Sequence, residues 1–140
     1  MKNLDSLNAY ADHAERLTPD NLDELRNLLS PNIHFTDPFN DTHGIDDYIR
    51  VLAKMFEDVD NPQFQMTDRA VSDQAGYLRW NFTFKFRGKD WEIPGMSEVH
   101  FTEGGLIKRH IDYWDSGTYF YAQLPLIGRV LKWIAKRVGA

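Results

Sequence analysis

The sequence predicts a single α+β domain, with helices packed on one face of a curved antiparallel sheet. Three observations lead there. Apolar residues in the first part of the chain recur at helical spacing, whereas from Gln63 to Asp115 the period falls to two. The strands of that second part are joined by short Gly-containing turns, which demand antiparallel neighbours. At 140 residues the chain fits one domain, 1–140, large enough to bury a core without disulfides.

Leu4, Leu7, Tyr10, Ala11, Ala14 and Leu17 form the stripe of a first helix, which Thr18-Pro19 breaks. Thr18 or Asp20 can cap a second helix with Pro19 in its first turn and Leu22, Leu25, Leu28 and Leu29 on its buried side. Ser30-Pro31 ends it. Asn32 to Asp37 then alternates as a short strand with Ile33, Phe35 and Asp37 on one face, and Pro38 holds Asp37 extended in line with Phe35. After a loop to Gly44, Ile45, Tyr48, Ile49, Leu52 and Phe56 return to helical spacing.

Four strands follow. Gln63–Asp73 is mixed in character, and in the next strand Leu78, Trp80, Phe82, Phe84 and Phe86 alternate with polar residues. Trp91–Thr102 sets Trp91, Ile93, Gly95, Ser97, Val99 and Phe101 on a common face, and Leu106–Asp115 closes the sheet. Residues 118–140 form a C-terminal segment in which Arg129–Val138 is a basic amphipathic helix with Val130, Leu131 and Ile134 on its apolar side. That stripe is expected to dock on the body or to cover the pocket as a lid; contact with an anionic membrane surface is the alternative.

Composition excludes several functions. The chain lacks cysteine, which removes thiolate nucleophiles, zinc ribbons and iron–sulfur clusters. No apolar run approaches the roughly 20 residues that span a bilayer, and a cytoplasmic protein is the expectation. Arg129, Lys132, Lys136 and Arg137 contribute +4 to a net charge of −5, so the remainder carries −9, a balance unsuited to nucleic acid. Aromatic residues make up 14% of the chain, enough for a roomy apolar interior or a densely packed core.

The last strand poses a conflict. His110, Asp112 and Trp114 share one face, while Ile107, Arg109, Ile111 and Tyr113 share the other. Apolar content alone would bury Ile107, Ile111 and Tyr113 and leave the imidazole and the carboxylate in water.

The element order, Asp37-Pro38 after the first strand, and the Gly104-Gly105 turn before an aromatic, acidic last strand together resemble the NTF2-like superfamily. Within it the chain is similar to the SnoaL-like group, relatives of ketosteroid isomerases, polyketide cyclases and limonene epoxide hydrolases. The resemblance implies a cone-shaped sheet whose mouth holds a small apolar ligand. His110, Asp112 and Trp114 would then face the pocket, leaving Ile107, Ile111 and Tyr113 on an outer face for a homodimer. Asp37 falls where ketosteroid isomerases hold their general base. Their phenol donor falls at His13, with Tyr10 one turn away, and their protonated acid falls at Ser97, which is no equivalent. Asp112 adds a carboxylate where those enzymes have a neutral residue.

Asp37, His110 and Asp112 are therefore the candidate catalytic residues, and Tyr10, His13, Phe35, Trp80, Ser97 and Trp114 the candidate substrate-binding residues. Burial in an apolar cone would raise a carboxylate pKa toward the range useful for proton transfer, although an Asp before Pro also commonly caps its own loop. His110 and Asp112 can form an acid/base pair or simply satisfy each other. A metal site made of His110, Asp112 and His13 has only a weak spacing signal, and no organic cofactor is implied. The expected function is acid/base proton transfer, as isomerase, cyclase or hydrolase, on an apolar carbonyl-bearing or cyclic molecule. Its rival is non-catalytic binding of a lipid or hydrophobic metabolite, or a dimeric interaction module.

Overall fold

The protein is described by a computed structural model covering residues 2–139. Helix α1 (Lys2–Glu15) is followed by a 3-10 segment (Pro19–Asn27), strands β1 (Leu29–Thr36) and β2 (Asp41–His43), and helix α2 (Ile45–Asp58). Strands β3 (Asp60–Val71), β4 (Gly76–Phe86), β5 (Lys89–Phe101) and β6 (Ile107–Tyr113) come next, then helices α3 (Ser116–Tyr119) and α4 (Ile127–Val138). All six strands form one curved, unclosed sheet in the order β2-β1-β6-β5-β4-β3. The long meander from β3 to β6 is antiparallel throughout, but β1 joins β6 in parallel, a long-range pairing that no local turn could announce.

The expected second helix is a 3-10 segment instead. Its run of Asp, Asn and Glu around few apolar residues supports tight turns; the Asn21 side chain accepts from the Thr18 amide (2.9 Å) and donates to the Arg16 carbonyl (2.8 Å). β1 also starts earlier than the sequence suggests. Leu29 pairs with Ile107, and an irregularity between Leu29 and His34 lets Pro31 sit inside the strand without a missing ladder donor.

The core lies between α1, the 3-10 segment and the inner face of the sheet. Leu7, Ala11, Leu25, Leu29, Ile33, Leu78, Val99 and Ile107 are all sealed from solvent, each large one contributing roughly 1.5–3 kcal/mol of burial. Along β4 the apolar row is core at Leu78 and Trp80 and thins toward the far tip, where Phe86 is exposed. There Arg87 (φ 51°) and Gly88 (φ 74°) make a two-residue hairpin turn whose left-handed backbone matches the twist of the strands.

Ile107 corrects the simple alternation of the last strand. Opposite Lys108 the register slips between His100 and Phe101, so Ile107 turns inward with His110 and is fully buried. Tyr113 is the residue of that set left most exposed, at 54%. Helix α4 corrects the expectation of docking. Ile127, Val130, Trp133, Ile134 and Val138 are exposed, and the helix packs chiefly on the turn Tyr121–Gln123, where Gly128 lies against the Ala122 carbonyl.

Candidate functional site

The period-two pattern of β6 places His110 and Asp112 on the inner face, and β5 sets Ser97 opposite Asp112. The cross-strand partner of Trp80 is Gly95, whose lack of a side chain lets the indole lie flat over the β5 backbone. A Cβ there would come within 2.4 Å of the ring.

These residues form one directed hydrogen-bonded chain. An indole N–H can only donate, so Trp80 Nε1 donates to Ser97 Oγ (2.8 Å), and the Ser97 hydroxyl donates to Asp112 Oδ1 (2.5 Å). The same oxygen receives His110 Nε2–H at 2.6 Å. With that tautomer fixed, His110 Nδ1 accepts from the Tyr10 hydroxyl (2.7 Å), whose oxygen in turn accepts from Tyr48 OH (2.8 Å). Donors from both directions thus converge on Asp112 Oδ1.

The surroundings are apolar and close. Phe35 stacks on Tyr48 at 4.4 Å between ring centroids and lies 5.1 Å from the His110 ring. Burial pushes the Tyr10 phenol well above its ordinary pKa, with Tyr48 adding to the rise, and burial raises Tyr48 as well, so both stay neutral donors.

Asp37 sits beyond the end of β1. Its Oδ1 accepts from the amides of Phe39 (2.7 Å) and Asn40 (2.6 Å) and from the Asn40 side chain (3.1 Å), whereas Oδ2 receives only Asn40 Nδ2 at 3.1 Å. The loop-capping reading is therefore realised. Partial burial nevertheless raises the Asp37 pKa; the hydrogen bonds from Phe39 and Asn40 oppose the rise, and the charge of Asp112 adds to it. Asp37, Asp112 and Trp114 line an open cavity of about 510 Å³ together with Thr36, Pro38, Ile111, Tyr113 and Asp115. Trp114 is braced edge-on by Phe39 at 5.4 Å.

The structure brings most of the sequence-derived residues together, in two layers. Asp37, Asp112 and Trp114 reach the cavity, while His110, Tyr10, Phe35, Trp80 and Ser97 stand behind them in the core. The aromatic content allowed two kinds of interior; Tyr10, Tyr48 and Trp80 are all buried in the core. His13 does not belong to the site: it is buried against the 3-10 segment, with Nε2 donating to the Asn21 carbonyl at 3.0 Å. The metal set that included it is not assembled. Tyr48 was hidden in the sequence, because a tyrosine on an apolar helical stripe reads as core; its only signal was the hydroxyl, which must find a partner when buried. Among the described residues His34, Asp41 and His43 also group their ligand atoms within 4.8 Å, on the outer face of β1 and β2. Their imidazoles stack 4.0 Å apart at an interplanar angle of 16°, so one ion could not lie in both ring planes, and His34 Nε2 pairs directly with Asp41 at 2.6 Å.

An unclosed, curved sheet with helices on its inner face and a His–Asp pair on its last strand defines a cone-shaped α+β protein with a polar inner wall. The SnoaL-like domain family matches residues 10–110, and the chain belongs to that family. No curated protein matches the chain in sequence. Solved structures match in fold. An LEH-like epoxide hydrolase of M. tuberculosis superposes with a TM-score of 0.69 at 13% identity, covering 99% of this chain and 97% of the other. A Catenulispora acidiphila protein with a ketosteroid isomerase-like fold, in complex with trimethylamine, gives 0.70 at 17% identity, covering 86% and 93%. An NTF2-like protein of unknown function from Burkholderia pseudomallei gives 0.72 at 12% identity, covering 100% and 99%. Among the described residues no helix is long and apolar enough to cross a membrane.

Proposed function

We propose that the protein is a small-molecule enzyme that moves a proton on an apolar, carbonyl-bearing or cyclic substrate, as an isomerase, cyclase or hydrolase. The observation that carries this reading is the convergence of the Tyr48–Tyr10–His110 and Trp80–Ser97 donors on one oxygen of Asp112, beside a second carboxylate, Asp37, with a raised pKa. Asp37 acts as general base through Oδ2, the oxygen with the weaker hydrogen-bond supply. A raised pKa makes it a stronger base once ionised. Asp112, with Oδ1 held by His110 and Ser97, keeps its other oxygen for a substrate hydroxyl or a water, and Trp114 with Phe39 forms the apolar wall. No organic cofactor is required. In this reading the chain forms a homodimer through the outer sheet face, which the exposure of the cross-strand neighbours Tyr113 and Met96 supports.

The test is proton–deuterium exchange at the carbon alpha to the carbonyl of cyclic ketones, and hydrolysis of cyclic epoxides, by wild type, Asp37→Asn and Asp112→Asn. Turnover by wild type that falls at least about 100-fold in Asp37→Asn supports the reading; equal rates in both proteins refute it. A second reading, a non-catalytic binder of a hydrophobic metabolite, draws on the full internal satisfaction of His110, Tyr10 and Ser97. Saturable ligand binding that ignores pH and yields no product would favour it.

A further inference from the structure

Helix α4 has the opposite character to the body that carries it. Ile127, Val130, Leu131, Ile134 and Val138 follow the i, i+3, i+4, i+7, i+11 spacing of one helical face. Four of these five are exposed, Val130 at 55% and Val138 at 81%. Leu126, immediately before the helix, is 77% exposed. Arg129, Lys132 and Lys136 run along the opposite side, and Trp133 lies at the boundary with the Arg137 guanidinium 5.1 Å above its ring. From Ser116 to Gly139 there is no acidic residue.

We propose that α4 is an in-plane anchor for an anionic lipid surface. At 12 residues it is about 18 Å long, too short to span a bilayer but sufficient to lie in the headgroup region with its apolar face toward the acyl chains. Its cations then meet lipid phosphates, and Trp133 takes the amphipathic position at the boundary that indoles favour. Charge argues for lipid over a second α4. Two copies packed through their apolar faces would leave eight basic side chains on the outer sides with no acid in either segment to pair them, whereas an anionic membrane supplies the missing counter-charge. The acidic body, held away from the surface, is screened beyond about 8–10 Å at physiological salt. The buried Gly128, seated on the Ala122 carbonyl, fixes the helix to the turn Tyr121–Gln123; Tyr121 and Phe120 in turn pack on Phe39, which braces the cavity residue Trp114. An anchored α4 therefore holds that side of the cavity near the lipid.

The test is co-sedimentation of the full chain with vesicles of phosphatidylglycerol and phosphatidylcholine in equal parts, against vesicles of phosphatidylcholine alone. Two exposed double variants accompany it, Val130→Glu with Ile134→Glu and Lys132→Glu with Lys136→Glu. Wild type is expected to partition at least about tenfold more strongly onto the anionic vesicles, with a blue shift of Trp emission that Trp133→Phe removes. Both double variants should lose this binding while keeping wild-type unfolding midpoints, since they alter exposed side chains. Failure of wild type to sediment, equal partitioning onto neutral vesicles, or retained binding by the Val130→Glu, Ile134→Glu variant each overturns the proposal. A dimer that the same variant dissociates, without vesicle binding by wild type, would assign the face to a second copy and also overturn it.

Discussion

Replacing Tyr10 by Phe removes one oxygen and no packing volume, so its effect reads the buried chain directly. That hydroxyl donates to His110 Nδ1 and accepts from Tyr48 OH, and its loss leaves two buried polar groups without partners. Each orphan costs about 1–3 kcal/mol, giving about 2–6 kcal/mol in total. Tyr48 stands at the end of the chain, where its hydroxyl only donates. Tyr48→Phe leaves Tyr10 still donating to His110 and should cost about 0.5–1.5 kcal/mol. In the double variant the Tyr48 orphan created by Tyr10→Phe is gone, so its cost should fall below the sum of the two singles. Urea unfolding of the four proteins measures all three quantities. A Tyr48→Phe cost equal to or above that of Tyr10→Phe, or strict additivity, would refute the directed chain.

Three further outcomes are expected. Gly95→Ala drives a methyl into the Trp80 ring, so it should destabilise by about 1–3 kcal/mol and shift Trp emission as the indole leaves Ser97; an unchanged midpoint would mean that the ring does not lie on this glycine. Burial raises the Asp37 pKa, so this group favours the folded state in its protonated form, and its contribution is lost as pH rises from about 4 through the raised value. Asp37→Asn should remove that decline above about pH 4, and a steeper decline in the variant would reverse the assignment. Tyr113→Arg places a charge on the exposed outer face and should convert the proposed homodimer to a monomer in analytical ultracentrifugation; a variant that stays dimeric removes this face as the interface.

The strands were legible because a period of two is read from side chains alone. His110 and Asp112 turned inward as that period requires, and the resemblance of Asp37-Pro38 and the Gly-Gly turn to the NTF2-like superfamily identified the fold. What remained hidden depended on distant partners. Ile107 was misassigned because a register slip at Lys108 changes the phase of β6, and nothing in Leu106-Ile107-Lys108 marks it. His13 and Tyr10 lie three positions apart on α1, close enough in angle that spacing could not decide which of them meets the sheet. The side chain of Tyr48 contributes apolar area to its helix and a hydroxyl to the site, and only the first property shows in a hydrophobic stripe. For α4 the amphipathic pattern specifies that one face avoids water, but not what covers it, so docking on the body was a fair expectation that the structure overturned.

The most direct measurement is the long-range nitrogen–proton NMR spectrum of the His110 imidazole in wild type and in Asp112→Asn. The chain of donors requires Nε2–H donating to Asp112 and an unprotonated Nδ1 accepting from Tyr10. A single Nε2–H tautomer of the neutral imidazole in wild type, relaxed in Asp112→Asn, is the expected result. An Nδ1–H tautomer, or a mixture like that of a free imidazole in water, would contradict the convergence of donors on Asp112 and with it the proposed site.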